Sequence, residues 1–334
     1  MKAAYLTGPL EALIVKDIPT PEPGPRDVLI RLAYSALNHR DLWMTQGLYS
    51  GLKSNLVMGS DGCGIVEKVG PEVDASLLGQ EVVINPSMNW GPNPAAFGKD
   101  FVILGNPDLG TFAEYVCVDQ AYVYPKPPHL SAEEAAALPL AGVTTYRALF
   151  SRARVRAGEK VLITGIGGGT ALQAFLFALA AGAEVYVTSG HADKIQRAVS
   201  LGAKGGWNYN EAGWAESLKG ASGGFDVIID SAAGRNFERL IDASARGGRI
   251  VFFGATGGVI GDILPRKIFW NQLSLMGTTM GTPQEFEDML RFTTEYQVKP
   301  IIDKIFPSLH EAQNALAYMS KGHQFGKIVI ENKA

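Results

Sequence analysis

The chain has 334 residues, 46% hydrophobic and 19% charged, with a formal net charge of −3. That length provides for two domains with a core each, and the small net charge removes any electrostatic case for nucleic acid or an anionic membrane as partner. No run of about 18 apolar residues occurs, so no transmembrane helix is expected, and two cysteines, Cys63 and Cys117, make no disulfide framework.

The N-terminal stretch MKAAYLTGPLEALIV reads as strands and lacks the clean hydrophobic region and cleavage site of a signal peptide, so a reduced, cytoplasmic setting is expected. Pro19, Pro21, Pro23 and Pro25 precede DVLIRLAYSALN (27–38), which begins as an alternating strand. Residues 57–70 and 80–86 are Gly-punctuated strands, 87–109 is a loop lobe rich in Pro, Gly and Asn, and 110–118 is another strand. Together they predict an antiparallel β-rich domain over 1–123. In the connector 124–139, prolines are followed by Ser131 as N-cap ahead of Glu133 and Glu134.

The most informative stretch is VLITGIGGGTA (161–171). An apolar run ends in Gly165, Gly167, Gly168 and Gly169 and enters a helical segment at Thr170. Backbone N–H groups of such a turn, with the helix dipole behind them, hold a pyrophosphate. The spacing G-x-G-x-x-G is met at Gly165 and Gly167, but Thr170 stands third; shifted, Gly165, Gly168 and Ala171 fit G-x-x-G-x-x-A. The turn alone is weak, and its context strengthens it. Helix-like segments at 170–181 and 193–203 alternate with apolar β runs at 183–190, 225–230, 248–254 and 273–278. Strands without polar alternation, separated by helices, predict an α/β domain with a doubly wound parallel sheet over 124–275. Strands at 301–307 and 325–331, around a helix near 309–321, place 276–334 back in the first domain.

The tip of the second strand bears on the cofactor. An NAD-type fold usually has an acid there for the ribose 2′-OH. This chain has Ser189 and Gly190, followed by Lys194 and, after the next β-like piece, Tyr209. A hydroxyl, a cation and a phenol suit a 2′-phosphate, which favours NADPH. Lys194 reads equally as a solvated helix residue and Tyr209 as a packing aromatic.

Asn38-His39-Arg40-Asp41, Gly47-Leu48-Tyr49, the run from Gly59 through Ser60, Asp61, Gly62, Cys63 and Gly64 to Val66, and Val69-Gly70 resemble the signature of the medium-chain dehydrogenases/reductases. They are most similar to its zinc-independent, quinone oxidoreductase-like branch. Ala137-Leu138-Pro139 with Gly142 to Tyr146, Leu201-Gly202-Ala203 with Asn208-Tyr209, and Gln324-Phe325-Gly326-Lys327 carry the resemblance over nearly the whole chain. It implies a GroES-like catalytic domain split around a Rossmann domain, an active-site cleft between them, NADPH, and commonly a homodimer through the Rossmann sheets. It carries Asn38, Asp41 and Tyr49 to the nicotinamide end as catalytic candidates, with Trp43 at a position often aromatic. Thr144, Phe253, Gly254, Ala255, Thr278 and Lys327 come over as cofactor neighbours. Asp41 also reads as a buried residue fixing the Asn38 turn, and Tyr49 as a cap on the pocket.

Zinc-dependent relatives have a Cys where this chain has Asn38 and Gly-His-Glu where it has Gly59-Ser60-Asp61. Asn and Ser are poor zinc ligands, residues 85–109 contain no Cys, and the five histidines are scattered. His39 beside Asp41 reads as a packing or hydrogen-bonding residue, and no metal site is expected. The resemblance therefore implies hydride transfer from NADPH to a small quinone or α,β-unsaturated carbonyl. Asn38, Tyr49 and the cofactor ribose would stabilise charge on the acceptor oxygen. The alternatives are a zinc-type alcohol dehydrogenase-like enzyme, an enoyl-thioester reductase and a non-catalytic NADPH-binding protein.

Overall fold

In the computed structural model, which describes residues 1–333, the chain opens with β1 (Lys2–Leu6) and β2 (Ile14–Asp17), paired antiparallel. β3 (Asp27–Ala36) follows and leads into α1 (His39–Thr45). Next come β4 (Leu56–Val57), β5 (Asp61–Val69), β6 (Glu81–Ile84), β7 (Ser87–Met88), β8 (Val102–Ile103), β9 (Tyr115–Asp119) and β10 (Val123–Pro125). β3 is the hub, pairing antiparallel with both β5 and β9. Its residues Val28, Ile30 and Leu32, spaced by two, point to one face and pack with Val66, Val82, Ile84, Val116 and Val118. The expected loop lobe holds only the short β7–β8 pair. Aromatics fill it: Phe97 and Phe101 stack at 4.5 Å, and Trp90 meets both edge-on.

α2 (Ala132–Ala136) starts at the expected cap, where Ser131 Oγ accepts from Glu134 N at 3.3 Å and Glu134 Oε2 accepts from Ser131 N at 2.9 Å. The chain then enters α3 (Pro139–Tyr146). β11 (Lys160–Ile163), α4 (Gly169–Ala180), β12 (Glu184–Ser189), α5 (Ala192–Ser200), β13 (Gly205–Asn208), α6 (Trp214–Ser222), β14 (Phe225–Asp230), α7 (Phe237–Ala243), β15 (Ser244–Phe252), α8 (Pro265–Asn271) and β16 (Ser274–Gly277) alternate thereafter. The sheet order is β13-β12-β11-β14-β15-β16, parallel throughout. Helix α4 fully buries Phe175 and Phe177, each worth roughly 1.5–3 kcal/mol of burial. That accounts for its being apolar on nearly all sides.

α9 (Pro283–Glu295), β17 (Ile302–Phe306), α10 (Ala312–Ser320) and β18 (Lys327–Glu331) close the chain. β18 pairs antiparallel with β3, Val329 opposite Ala36, so the C-terminal segment completes the first sheet as its β character predicted. The chain divides into two units, residues 1–141 with the segment from Gly281 onward, and Gly142–Met280. These boundaries lie later than the expected 124 and 276. The connector belongs to the first unit because β10 pairs with β6, Val123 opposite Ile84, and α2 packs on β3 and β5. Among the described residues no helix is long and apolar enough to cross a membrane.

Candidate active site

Asn38 leaves β3 in an extended conformation (φ −123°, ψ 156°) and begins α1. Asp41 Oδ2 accepts from Asn38 N at 2.8 Å, and Asp41 N donates to Asn38 O at 2.9 Å. Asp41 is wholly buried, burial pushes its carboxyl up to about 6, and its Oδ1 has no hydrogen-bond partner. A catalytic candidate by resemblance, Asp41 is here the residue that fixes the Asn38 turn.

The Asn38 side chain is held at both ends. Its Nδ2 donates to Asp61 Oδ2 at 2.9 Å, and its Oδ1 accepts from Lys327 Nζ at 2.8 Å. Lys327 also donates to Asp61 Oδ2 at 3.0 Å, and Asp61 Oδ1 accepts from Leu140 N at 2.8 Å. Three donors, one of them an opposite charge, thus compensate a fully buried carboxylate. One Asn38 amide N–H is left uncommitted, oriented by its rigid partners, and such a donor suits a developing oxyanion. Lys327, carried over as a cofactor neighbour, lies in this cluster.

Arg40 was not singled out by motif reasoning, and its polar neighbours Asn38, His39 and Asp41 give no sign of its burial. It is nine-tenths buried. Its Nη1 donates to Ser60 Oγ and to Leu104 O (2.9 Å), and its Nε donates to Tyr49 Oη at 3.3 Å. The guanidinium lies 4.9 Å from the centre of the Tyr49 ring. Tyr49 therefore accepts from a cation and keeps its own O–H to give. The His39 ring stands edge-on to Trp43, centroids 5.2 Å apart, as a packing residue would.

These donors do not fit a catalytic zinc. Asn38 Oδ1 already faces an ammonium, Ser60 Oγ accepts from a guanidinium and donates to Leu104 O at 2.8 Å, and both partners carry positive charge. Among the described residues no three His, Cys, Asp or Glu side chains gather as a metal cage.

The second unit carries the glycine turn. Gly165 (φ 65°) and Gly167 (φ 124°) adopt backbone that side-chain-bearing residues avoid. Gly168, the N-cap of α4, has no side chain to cap the first turn, so its N–H groups remain for an anion. Gly169 and Thr170 form that first turn. Ile166 N donates to Thr188 O at 2.8 Å, and Ser189 Oγ donates to Ile166 O at 3.2 Å. Buried Ser189 thus braces the turn. Lys194 is only 6% exposed, which removes the reading of a solvated helix lysine. Tyr209 N donates to Ser189 O at 3.1 Å, and a Cβ on Gly190 would come within 2.9 Å of Tyr209 Oη, so the phenol covers bare backbone at the strand tip.

The other cofactor candidates end neighbouring strands or lie by them. Phe253 N donates to Asp230 O at 3.2 Å, and a Cβ on Gly254 would strike Ser231 O at 2.0 Å. Ala255 follows, exposed. Thr278 N donates to Phe252 O at 3.0 Å, while its buried Oγ1 has no hydrogen-bond partner among the described residues. Thr144 Oγ1 contacts Met280 Sδ at 3.8 Å. A cavity of about 440 Å³ opens beside Gly165, Thr188 and Tyr209. The glycine turn, the open helix start and the orphaned hydroxyl fit a dinucleotide at the strand ends.

Residues 24–128 match the family model described as an alcohol dehydrogenase GroES-like domain, and residues 169–295 the one described as a zinc-binding dehydrogenase. A zinc-type alcohol dehydrogenase-like protein of Leptosphaeria maculans is 36% identical, over 99% of this chain and 96% of its own length. The quinone oxidoreductase of Mus musculus is 28% identical, over 97% and 94%. A crystal structure described as an NAD-dependent alcohol dehydrogenase superposes with a TM-score of 0.93 at 37% identity, covering 99% of each chain.

Proposed function

The chain belongs to the medium-chain dehydrogenase/reductase superfamily of nicotinamide-dependent oxidoreductases, and from that premise we propose that it reduces quinones or α,β-unsaturated carbonyls with NADPH and without zinc. The observation that carries the metal-free reading is the Asn38–Asp61–Lys327 cluster, which puts an ammonium against the side chain standing where zinc-dependent relatives have their cysteine. The mouse quinone oxidoreductase supports the substrate class.

When bound, NADPH supplies the hydride. Adding it to a quinone or to the β-carbon of an enone leaves negative charge on the acceptor oxygen. The free Asn38 N–H receives that charge without reorganising, because Asp61 and Lys327 hold the amide plane. Tyr49, steadied by Arg40, gives the proton. The first turn of α4 binds the pyrophosphate, and buried Lys194 with Tyr209 takes the 2′-phosphate. The solved relative described as NAD-dependent makes NADH the competing cofactor. Exposed Leu264, Phe269 and Trp270, around a helix next to edge strand β16, support a homodimer through that sheet. Free cysteines suit a cytoplasmic setting.

NADPH oxidation is followed against quinones, enones, enoyl thioesters and, in reverse, alcohols. Turnover confined to quinones or enones supports the proposal. Alcohol oxidation alone, or tight NADPH binding with no turnover on any acceptor, overturns it.

A further inference from the structure

We propose that Arg40 binds the acceptor's oxygen through Nη2 and holds the oxyanion that hydride addition creates, an inference that rests on the reductase reading above. Arg40 is 8% exposed, and its Nη2 is buried with no hydrogen-bond partner among the described residues. Nε and Nη1 donate only to uncharged groups, Tyr49 Oη, Ser60 Oγ and Leu104 O. Among the described residues no Asp or Glu forms an ion pair with this guanidinium. Asp61 holds Lys327 at 3.0 Å, and Asp41 Oδ2 accepts from Asn38 N. A cation shut away from water without a counter-charge is expensive to fold. An anion formed in the site offsets that cost, whereas a neutral acceptor does not.

The fork of the guanidinium selects the place. Nε–H and one Nη2–H point the same way, the pair with which an arginine takes two oxygens side by side. Tyr49 Oη fills one of those places. An acceptor oxygen in the other lies within hydrogen-bond reach of Tyr49 Oη. Tyr49 is half-buried in a stretch exposed at Gly47, Leu48, Ser50 and Gly51, so the acceptor enters along the tyrosine. Hydride adds to the β-carbon of an enone, the C=C π pair moves to the bond between the α-carbon and the carbonyl carbon, and the C=O π pair moves to oxygen. The oxyanion stays on Nη2, and the Tyr49 proton moves to it. The phenolate left against the guanidinium takes a proton from water. A quinone puts the same charge on its oxygen. Arg40 Nη1 donates to Ser60 Oγ, which stands where zinc-dependent relatives have their histidine. The guanidinium thus brings a permanent positive charge beside that position.

The probe is p-nitrophenol, because only its anion is yellow and its oxygen resembles that of the reduced acceptor. Wild-type protein saturated with NADP+ should bind the anion at least about tenfold more tightly than the neutral phenol, read as yellow colour at a pH where the free probe is colourless. Arg40→Met should abolish that preference. It should also cut kcat/KM for a quinone by about 100-fold, while the Kd of NADPH stays within about twofold. Melting should not fall, since Met removes an uncompensated buried charge and Leu104 O keeps Ser60 Oγ as donor. If Arg40→Met does melt early, Arg40→Lys decides. Its point charge should keep part of the preference, and complete loss overturns the inference. A preference or a kcat/KM that Arg40→Met leaves intact overturns it too. Wild-type protein that turns over no acceptor removes the reductase reading itself, and this inference with it.

Discussion

Lys327 and Asn38, 289 positions apart in sequence, are joined by a 2.8 Å hydrogen bond from Nζ to Oδ1. The same ammonium lies 3.0 Å from Asp61, a carboxylate with no exposed surface. Removing it strands a buried charge. Lys327→Met is expected to cost about 3–5 kcal/mol of unfolding free energy in urea titrations, and adding Asp61→Asn to restore part of it. A loss under about 1 kcal/mol would show that the cluster is hydrated and loosely held.

Tyr49→Phe keeps the ring beneath the Arg40 guanidinium and removes only the hydroxyl. If that hydroxyl delivers the proton, kcat falls by about 10- to 100-fold while KM for the acceptor stays close to wild type. Unchanged turnover would leave Tyr49 a packing surface for Arg40.

Lys194→Ala is expected to raise KM for NADPH by at least about tenfold and KM for NADH little, because only NADPH carries the phosphate it would pair with. Equal effects on both would make buried Lys194 a structural residue of α5.

The second unit was legible because each of its cues is local. An apolar run stopped by Gly165 to Gly169, and a helix apolar on most sides, declare a buried parallel sheet wherever they occur. β13, read only as a β-like piece, is the weakest of these cues, since Gly205-Gly206-Trp207-Asn208 has one β-former and is fixed as a strand by its pairing with β12. The domain boundary was misplaced for the same reason: β10 is three residues long, and only its ladder to β6 assigns the connector to the first unit. Asn38 was visible as a motif residue. Its partners Asp61 and Lys327 are set by the meeting of β3, β5 and β18, which no spacing encodes. Arg40 was passed over because a charged residue on a short helix reads as solvated until its burial is known.

Asp41 provides a pH test. Burial raises its carboxyl to about 6, so the folded protein keeps the proton to higher pH than the unfolded chain does. The proton-linked stability is complete below the unfolded value of roughly 3.9 and is lost as pH rises through about 6, a change of about 3 kcal/mol. Asp41→Asn removes that dependence while its amide oxygen still accepts from Asn38 N. Its stability should therefore gain on wild type between about pH 4 and pH 6, measured by urea midpoints. A difference that does not change with pH would mean Asp41 stays ionised.

The central claim is reduction of a carbonyl or quinone acceptor by NADPH without metal, around an amide oriented by Lys327 and Asp61. It is tested most directly by NADPH oxidation with a quinone acceptor, using protein stripped by a chelator and shown by elemental analysis to hold no zinc. Turnover equal to that of untreated protein is the predicted result. Turnover that disappears on stripping and returns with added zinc would contradict the account.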